Sequence, residues 1–82
     1  MKELIEYIAK SLVEKPEEVT VIEIPGDERL TLRLQVAPGD MGKVIGKQGR
    51  IAEAMRTLLK VAAVKEGTRA VLQIVSNEEE GQ

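Results

Sequence analysis

The chain reads as an α+β domain, a three-stranded mixed sheet covered by helices on one face, in the order α-β-β-α-α-β. Three observations carry this reading. Apolar residues recur at helical spacing in two segments, residues 4–13 and 51–62. Leu30, Leu32, Leu34 and Val36 alternate with Thr31, Arg33 and Gln35, the period of a strand with one face in a core. The chain has 82 residues with no linker and no internal repeat, which fits one small domain with one core.

Each element follows from local chemistry. Leu4, Ile5, Ile8, Ala9, Leu12 and Val13 form one helical stripe, with Lys2, Glu6, Lys10 and Glu14 on the other faces. Pro16 ends this helix near Glu14 or Lys15, because the residue before a proline avoids the α region. Val19 to Ile24 is short and β-branched, and reads as a strand. Pro25-Gly26-Asp27-Glu28 turns it into the alternating strand Leu30 to Val36, making a hairpin. Pro38-Gly39-Asp40 breaks that strand, and the Asp40 carboxylate is placed to cap a short helix from Met41 to Ile45.

Gly46 to Gly49 interrupts this helix. A long helix follows, with Ile51, Ala54, Met55, Leu58, Leu59 and Ala62 as its inward stripe and Gly67 as its stop. Ala70 to Val75 is the third strand. If it pairs in parallel with the second, the two-helix crossover is right-handed and leaves the far face of the sheet more exposed. Residues 1–76 are then the single domain. Residues 77–82 are acidic and lack apolar anchors, so they read as a flexible tail.

Composition narrows the chemistry. There is no Cys and no His, which excludes a disulfide framework, a thiolate zinc site, a Ser-His-Asp triad and an imidazole base. No pair of carboxylates carries a pocket signature, so the expectation is a protein without catalysis, cofactor or metal. The N-terminal segment carries Glu3 and Glu6 among its apolar residues, unlike a secretory signal. No apolar run reaches the ~20 residues of a membrane span. The expected location is the cytoplasm, with no membrane partner.

The net charge of −2 is unevenly spread. Between Met41 and Lys60 stand Lys43, Lys47, Arg50, Arg56 and Lys60 against the single acid Glu53, a net of +4, which leaves −6 elsewhere. An acidic domain can therefore present one basic face.

That basic window surrounds Val44-Ile45-Gly46-Lys47-Gln48-Gly49-Arg50-Ile51. It is not a P-loop, since Met41 stands where the first glycine is needed and Gln48 follows Gly46-Lys47. It is not a dinucleotide fingerprint, lacking Gly-x-Gly and a strand leading directly into it. It is a G-x-x-G loop between two helices. Glycines there permit a sharp reversal and leave bare backbone that a sugar-phosphate chain can approach. The loop opens a helix, whose N–H groups and dipole favour phosphate. Lys43, Lys47 and Arg50 add charge, Gln48 adds a neutral donor, and Val44, Ile45 and Ile51 would floor the groove under bases. The candidate site is Lys43, Val44, Ile45, Gly46, Lys47, Gln48, Gly49, Arg50 and Ile51.

On these residues the sequence resembles the KH family of RNA-binding modules over nearly its whole length. The element order is similar to the type II KH arrangement, and Ile45-Gly46-Lys47-Gln48-Gly49 looks like the family's I-G-x-x-G signature, whose loop grips about four nucleotides. The run Ile45 to Ile51 followed by Met55-Arg56-Thr57-Leu58, in a stand-alone domain, looks like the small bacterial KhpA-type KH proteins. The resemblance implies a cytoplasmic protein binding single-stranded RNA, an RNA chaperone or post-transcriptional regulator linked to cell elongation and envelope synthesis. It also implies a homodimer, and a heterodimer with a larger multidomain KH-containing protein. One departure stands out: where the family places an Ile three residues after the second glycine, this chain has Ala52, which would shrink or shift the floor. Asp27 and Glu28 would repel phosphate if they neared the groove.

Other residues carry two readings. Arg56 and Lys60 are a groove edge or an ordinary exposed face; Arg33 and Gln35 contact bases or are the polar side of a sheet. Tyr7 lies off the main stripe. Val61 and Val64 fall outside the tightest core stripe of the long helix, and an apolar arc that wide meets a second surface: the third strand absorbs some of it, or the two residues contribute to a dimer seam. The alternative function is a protein-interaction adaptor with this fold, acting mainly through dimerisation.

Overall fold

The computed structural model describes residues 1–77. It begins with α1 (Lys2–Leu12), which lays Ile5 and Ala9 into the core, with Met1, Ile8 and Val13 packed around them. The helix stops at Leu12, earlier than Pro16 alone requires. The cause lies far along the chain. The backbone N–H groups of Glu14 and Lys15 donate to Oδ1 and Oδ2 of Asp40, both at 3.1 Å. Those groups are thus satisfied outside the helix, and Val13 turns to extended backbone.

Strands β1 (Thr20–Pro25) and β2 (Leu30–Val36) form the expected hairpin, with Val21 opposite Leu34 and Ile22 opposite Arg33. The turn is closed by the Gly26 N–H donating to the Arg29 carbonyl at 2.9 Å. The last strand, β3 (Ala70–Ser76), pairs in parallel with β2, setting Leu30 opposite Ala70 and Leu34 opposite Ile74. The sheet order is β1-β2-β3, so the sheet is mixed and β2 is central.

Alternation along β2 sends Leu32, Leu34 and Val36 into a fully buried layer, where they meet Ile5, Val44, Met55 and Leu59. The fold is the type II KH arrangement anticipated from the sequence. Asp40 departs from expectation. It sits at the N-terminus of α2 (Met41–Ile45) but makes no capping bond to it; its buried carboxylate serves the exit of α1 instead.

Helix α3 (Arg50–Lys65) presents Ala52, Met55, Leu59 and Ala63 to the sheet, with Ile51 packed at the margin. Ala54 and Leu58, expected in the core, are exposed, Leu58 to 47%. The apolar arc of this helix is wide enough to hold two overlapping stripes. The small residues Ala52 and Ala63 set which one faces inward, because they let the helix approach the strands closely. The helix ends in a Schellman motif: Gly67, at φ +73°, donates to the Val64 carbonyl and Thr68 to the Ala63 carbonyl.

Asn77, placed in the tail by composition, is held by the fold. Its N–H donates to the Val36 carbonyl at 2.7 Å and its Nδ2 to the Glu18 carbonyl at 2.8 Å. Residues 78–82 of the expected tail lie outside the described residues. Among the described residues, no helix is long and apolar enough to cross a membrane.

Candidate nucleic-acid interface

The loop between α2 and α3 is a tight turn spanning Lys47–Gly49. Gly46 has φ +78° and ψ 173°, a conformation essentially reserved for glycine, and Gly49 is left-handed at φ +74°. Gln48 between them is also left-handed at φ 58°, the one non-glycine residue among those described with positive φ. The Gly49 N–H donates to the Gly46 carbonyl at 3.1 Å and draws the turn together.

Lys47, Gln48 and Arg50 are exposed around it. Gly49, the N-cap of α3, offers no side chain, so the opening N–H groups of that helix have no side-chain cap. This is a patch of backbone donors at the positive end of a 16-residue helix, flanked by two cations, and it suits a phosphate.

The apolar residues of the expected floor separate into two groups. Val44 is fully buried beneath the loop and belongs to the core; no base can reach it. Ile45 and Ile51 are partly exposed, and Ile51 lies directly against Gly46. Ala52 is also buried, so its small size serves helix–sheet packing and not the loop surface. Lys43 is turned toward the end of α1, where its Nζ stands 3.6 Å from a Glu14 carboxylate oxygen. Its charge is therefore shared with an acid that adjacent spacing did not reveal.

A groove of about 370 Å³ runs between α3 and β3, lined on one side by Glu53, Arg56, Thr57 and Lys60 and on the other by Ala70 to Leu72. Arg56 Nη2 donates to the Leu72 carbonyl at 3.5 Å, which resolves Arg56 as a groove-edge residue. That bond also fixes the direction of the outer edge of β3. The Leu30 N–H donates to the Arg69 carbonyl on the inner side, so alternate residues Ala70, Leu72 and Ile74 aim their backbone groups away from β2, into the groove. Sequence reasoning placed no backbone edge here, since an edge strand is visible only once sheet order is known. Arg33 stands on the uncovered face of the sheet, its Nε donating to Gln73 Oε1 at 3.2 Å.

Comparison with known proteins agrees with this architecture. Residues 2–74 match the family model described as KhpA/KhpB, KH domain. The chain is 61% identical over 75 residues to an RNA-binding protein KhpA of Clostridium perfringens, covering 92% of this chain and 100% of that one. It is 47% identical over 75 residues to an RNA-binding protein KhpA of Aquifex aeolicus, covering 92% of this chain and 95% of the relative. Among solved structures, Era of Aquifex aeolicus bound to GDP.AlF4- superimposes with a TM-score of 0.61 at 18% identity. That match takes in 96% of this chain and 31% of the other, a likeness of fold.

Proposed function

The chain belongs to the KhpA/KhpB KH-domain family, and on that premise we propose that it is a non-catalytic RNA-binding protein that holds single-stranded RNA through the loop Gly46–Gly49. The observation that carries this is the loop's backbone. Three left-handed or glycine-only positions, Gly46, Gln48 and Gly49, expose main-chain donors at the start of α3, with Lys47 and Arg50 beside them. Phosphates would be gripped there, while bases lie in the groove against Ile45, Ile51 and the outward backbone groups of β3. Phosphate contacts position a strand and base-edge contacts discriminate among sequences. The protein then acts as an RNA chaperone or post-transcriptional regulator in the cytoplasm.

The test replaces Lys47 and Gln48 together with Asp. Aspartate tolerates the left-handed conformation at position 48, so the loop keeps its shape while two negative charges face the phosphates. Binding of a single-stranded RNA, read by fluorescence anisotropy, should be lost, with an unchanged circular dichroism spectrum. Parental affinity in the folded double variant overturns the reading.

A second reading is favoured by α3. Leu58, Val61 and Val64 are 47%, 50% and 69% exposed, an apolar strip with no cover in the monomer. In a two-fold dimer the same patch meets itself. Val61 and Val64 are accordingly the proposed seam, for a homodimer or for a heterodimer with a larger KH-containing protein. An adaptor acting mainly through this seam is the alternative function.

A further inference from the structure

The face of the sheet that the helices leave uncovered carries its own charge pattern. Register places Thr20, Ile22 and Ile24 of β1, Thr31, Arg33 and Gln35 of β2, and Val71, Gln73 and Val75 of β3 on that face. No acid stands among them; Glu23, opposite Leu32, has the other parity and belongs to the helix side. The central row is polar and donor-rich, flanked by aliphatic residues. Arg33 is held in place by Gln73 across the strands.

At one end the pattern continues. The Leu30 N–H to Arg69 carbonyl bond and the Leu30–Ala70 register put Arg29 and Arg69 just before two neighbouring strands, two like charges that line one hollow. Such a pair is unfavourable without a counter-charge. Among the described residues, neither is in an ion pair. Glu28 lines the adjoining hollow with Arg69 without bridging to it.

These two arginines also line a second hollow, with Lys60, Val64 and Val71. Lys60, Ala70 and Val71 are shared with the groove between α3 and β3. The two hollows therefore adjoin at Lys60, and together they run along α3 from Glu53 to Arg69 and Arg29, at the end of the sheet whose uncovered face holds Arg33.

We propose that Arg29, Arg33 and Arg69 form a second phosphate-binding track, which takes up the RNA strand beyond the stretch held at the glycine loop. The proposal rests on the RNA-binding reading above. The complementarity is of charge: Arg33 on a strand face that carries no acid, and Arg29 and Arg69 at the end of that face, in a chain whose net charge is −2. The spacing also suits a strand. Arg29, the residue before β2, and Arg33 lie four residues apart, roughly 13 Å of extended chain, so they would meet two different phosphates of an extended single strand. The face has no aromatic side chain, so it would hold the backbone and not stack bases. Asp27 and Glu28, in the turn before Arg29, close the track at its far end.

The experiment compares two single-stranded RNAs, of four and of twelve nucleotides, on three proteins. These are the parent, the triple variant Arg29→Gln, Arg33→Gln, Arg69→Gln, and the loop variant Lys47→Asp, Gln48→Asp. The triple variant should bind the twelve-mer about tenfold more weakly than the parent and flatten its salt dependence by about two, since each single-strand phosphate contact contributes about 0.7 to the slope. Its four-mer affinity should stay within about twofold, because the loop is intact. A triple Arg→Lys variant, which keeps the charges, should keep the twelve-mer affinity. Parental twelve-mer binding by the Gln variant overturns the track and leaves the loop reading standing. Parental binding by the loop variant, with loss in the Gln variant, removes the loop reading and keeps the track.

Discussion

Gly46 and Ile51 are in direct contact across the loop. A Cβ on Gly46 would stand 2.6 Å from Ile51 Cγ1 and 2.9 Å from Ile51 Cβ. The glycine is thus required twice, by its φ of +78° and by the side chain that presses on it. Gly46→Ala should destabilise the fold by about 3 kcal/mol, summing backbone strain and overpacking. Adding Ile51→Ala removes the contacts to Cγ1 and Cδ1 but keeps the Cβ, so it should recover part of the steric cost and leave the strain. Gly49→Ala is the control: nothing lies within 4 Å of its Cβ position, and only the conformational cost of roughly 1 kcal/mol applies. Urea unfolding of the four proteins checks this; equal losses for Gly46→Ala and Gly49→Ala would remove the role of Ile51.

Asp40 joins two ends of the molecule that are remote in sequence. Its carboxylate is buried and accepts from the N–H groups of Glu14 and Lys15, just past α1. Asp40→Ala leaves two donors without their charged acceptor, and should cost about 3 kcal/mol in urea unfolding. Asp40→Asn keeps one acceptor oxygen and should cost less. A loss below roughly 0.5 kcal/mol for the alanine variant, the range of a neutral surface change, would mean water replaces the carboxylate.

These two contacts also mark where sequence reading stops. Periodicity made the elements legible, because a helix face or an alternating strand is written in neighbouring residues. Leu30 to Val36 and the stop at Gly67 needed only local chemistry. The glycine loop was legible too, since positive φ and spacing leave a local imprint. The partners of Asp40 were not, because a carboxylate beside a helix start looks like its cap whichever way it turns. The setting of α3 was equally hidden, as Ala54 and Leu58 are apolar at the right spacing on the wrong side. Val44 stands next to the loop in sequence yet under it in space. Arg69 comes beside Arg29, at the end of the face that holds Arg33, only when β3 is placed beside β2.

Lys43 and Glu14 form an exposed ion pair at 3.6 Å. Exposed pairs add little to stability, so Glu14→Gln should change unfolding free energy by less than about 0.5 kcal/mol. Its effect on RNA should be larger. Removing the acid leaves the Lys43 charge uncompensated beside α2, and affinity at low salt should rise about two- to threefold, with the gain vanishing as salt screens it. Anisotropy titrations at two salt concentrations read this directly. An affinity that falls or stays level would show that Lys43 takes no part in the interface.

Val61 and Val64 project from α3 at half and more than two-thirds exposure, three residues apart and on the side away from the core. If they form the seam, Val61→Asp places two carboxylates against each other at the two-fold axis. Burying such charges unpaired should weaken association at least about a hundredfold. The variant should sediment as a monomer at a concentration where the parent is a dimer, and its unfolding at fixed protein concentration should shift accordingly. Because Val61 lies outside the loop, the monomer should still bind a four-nucleotide RNA. A dimer mass unchanged by both Val61→Asp and Val64→Asp would remove the seam from α3. Monomers that keep RNA binding would separate the two functions, making the groove independent of the dimer and the adaptor reading secondary.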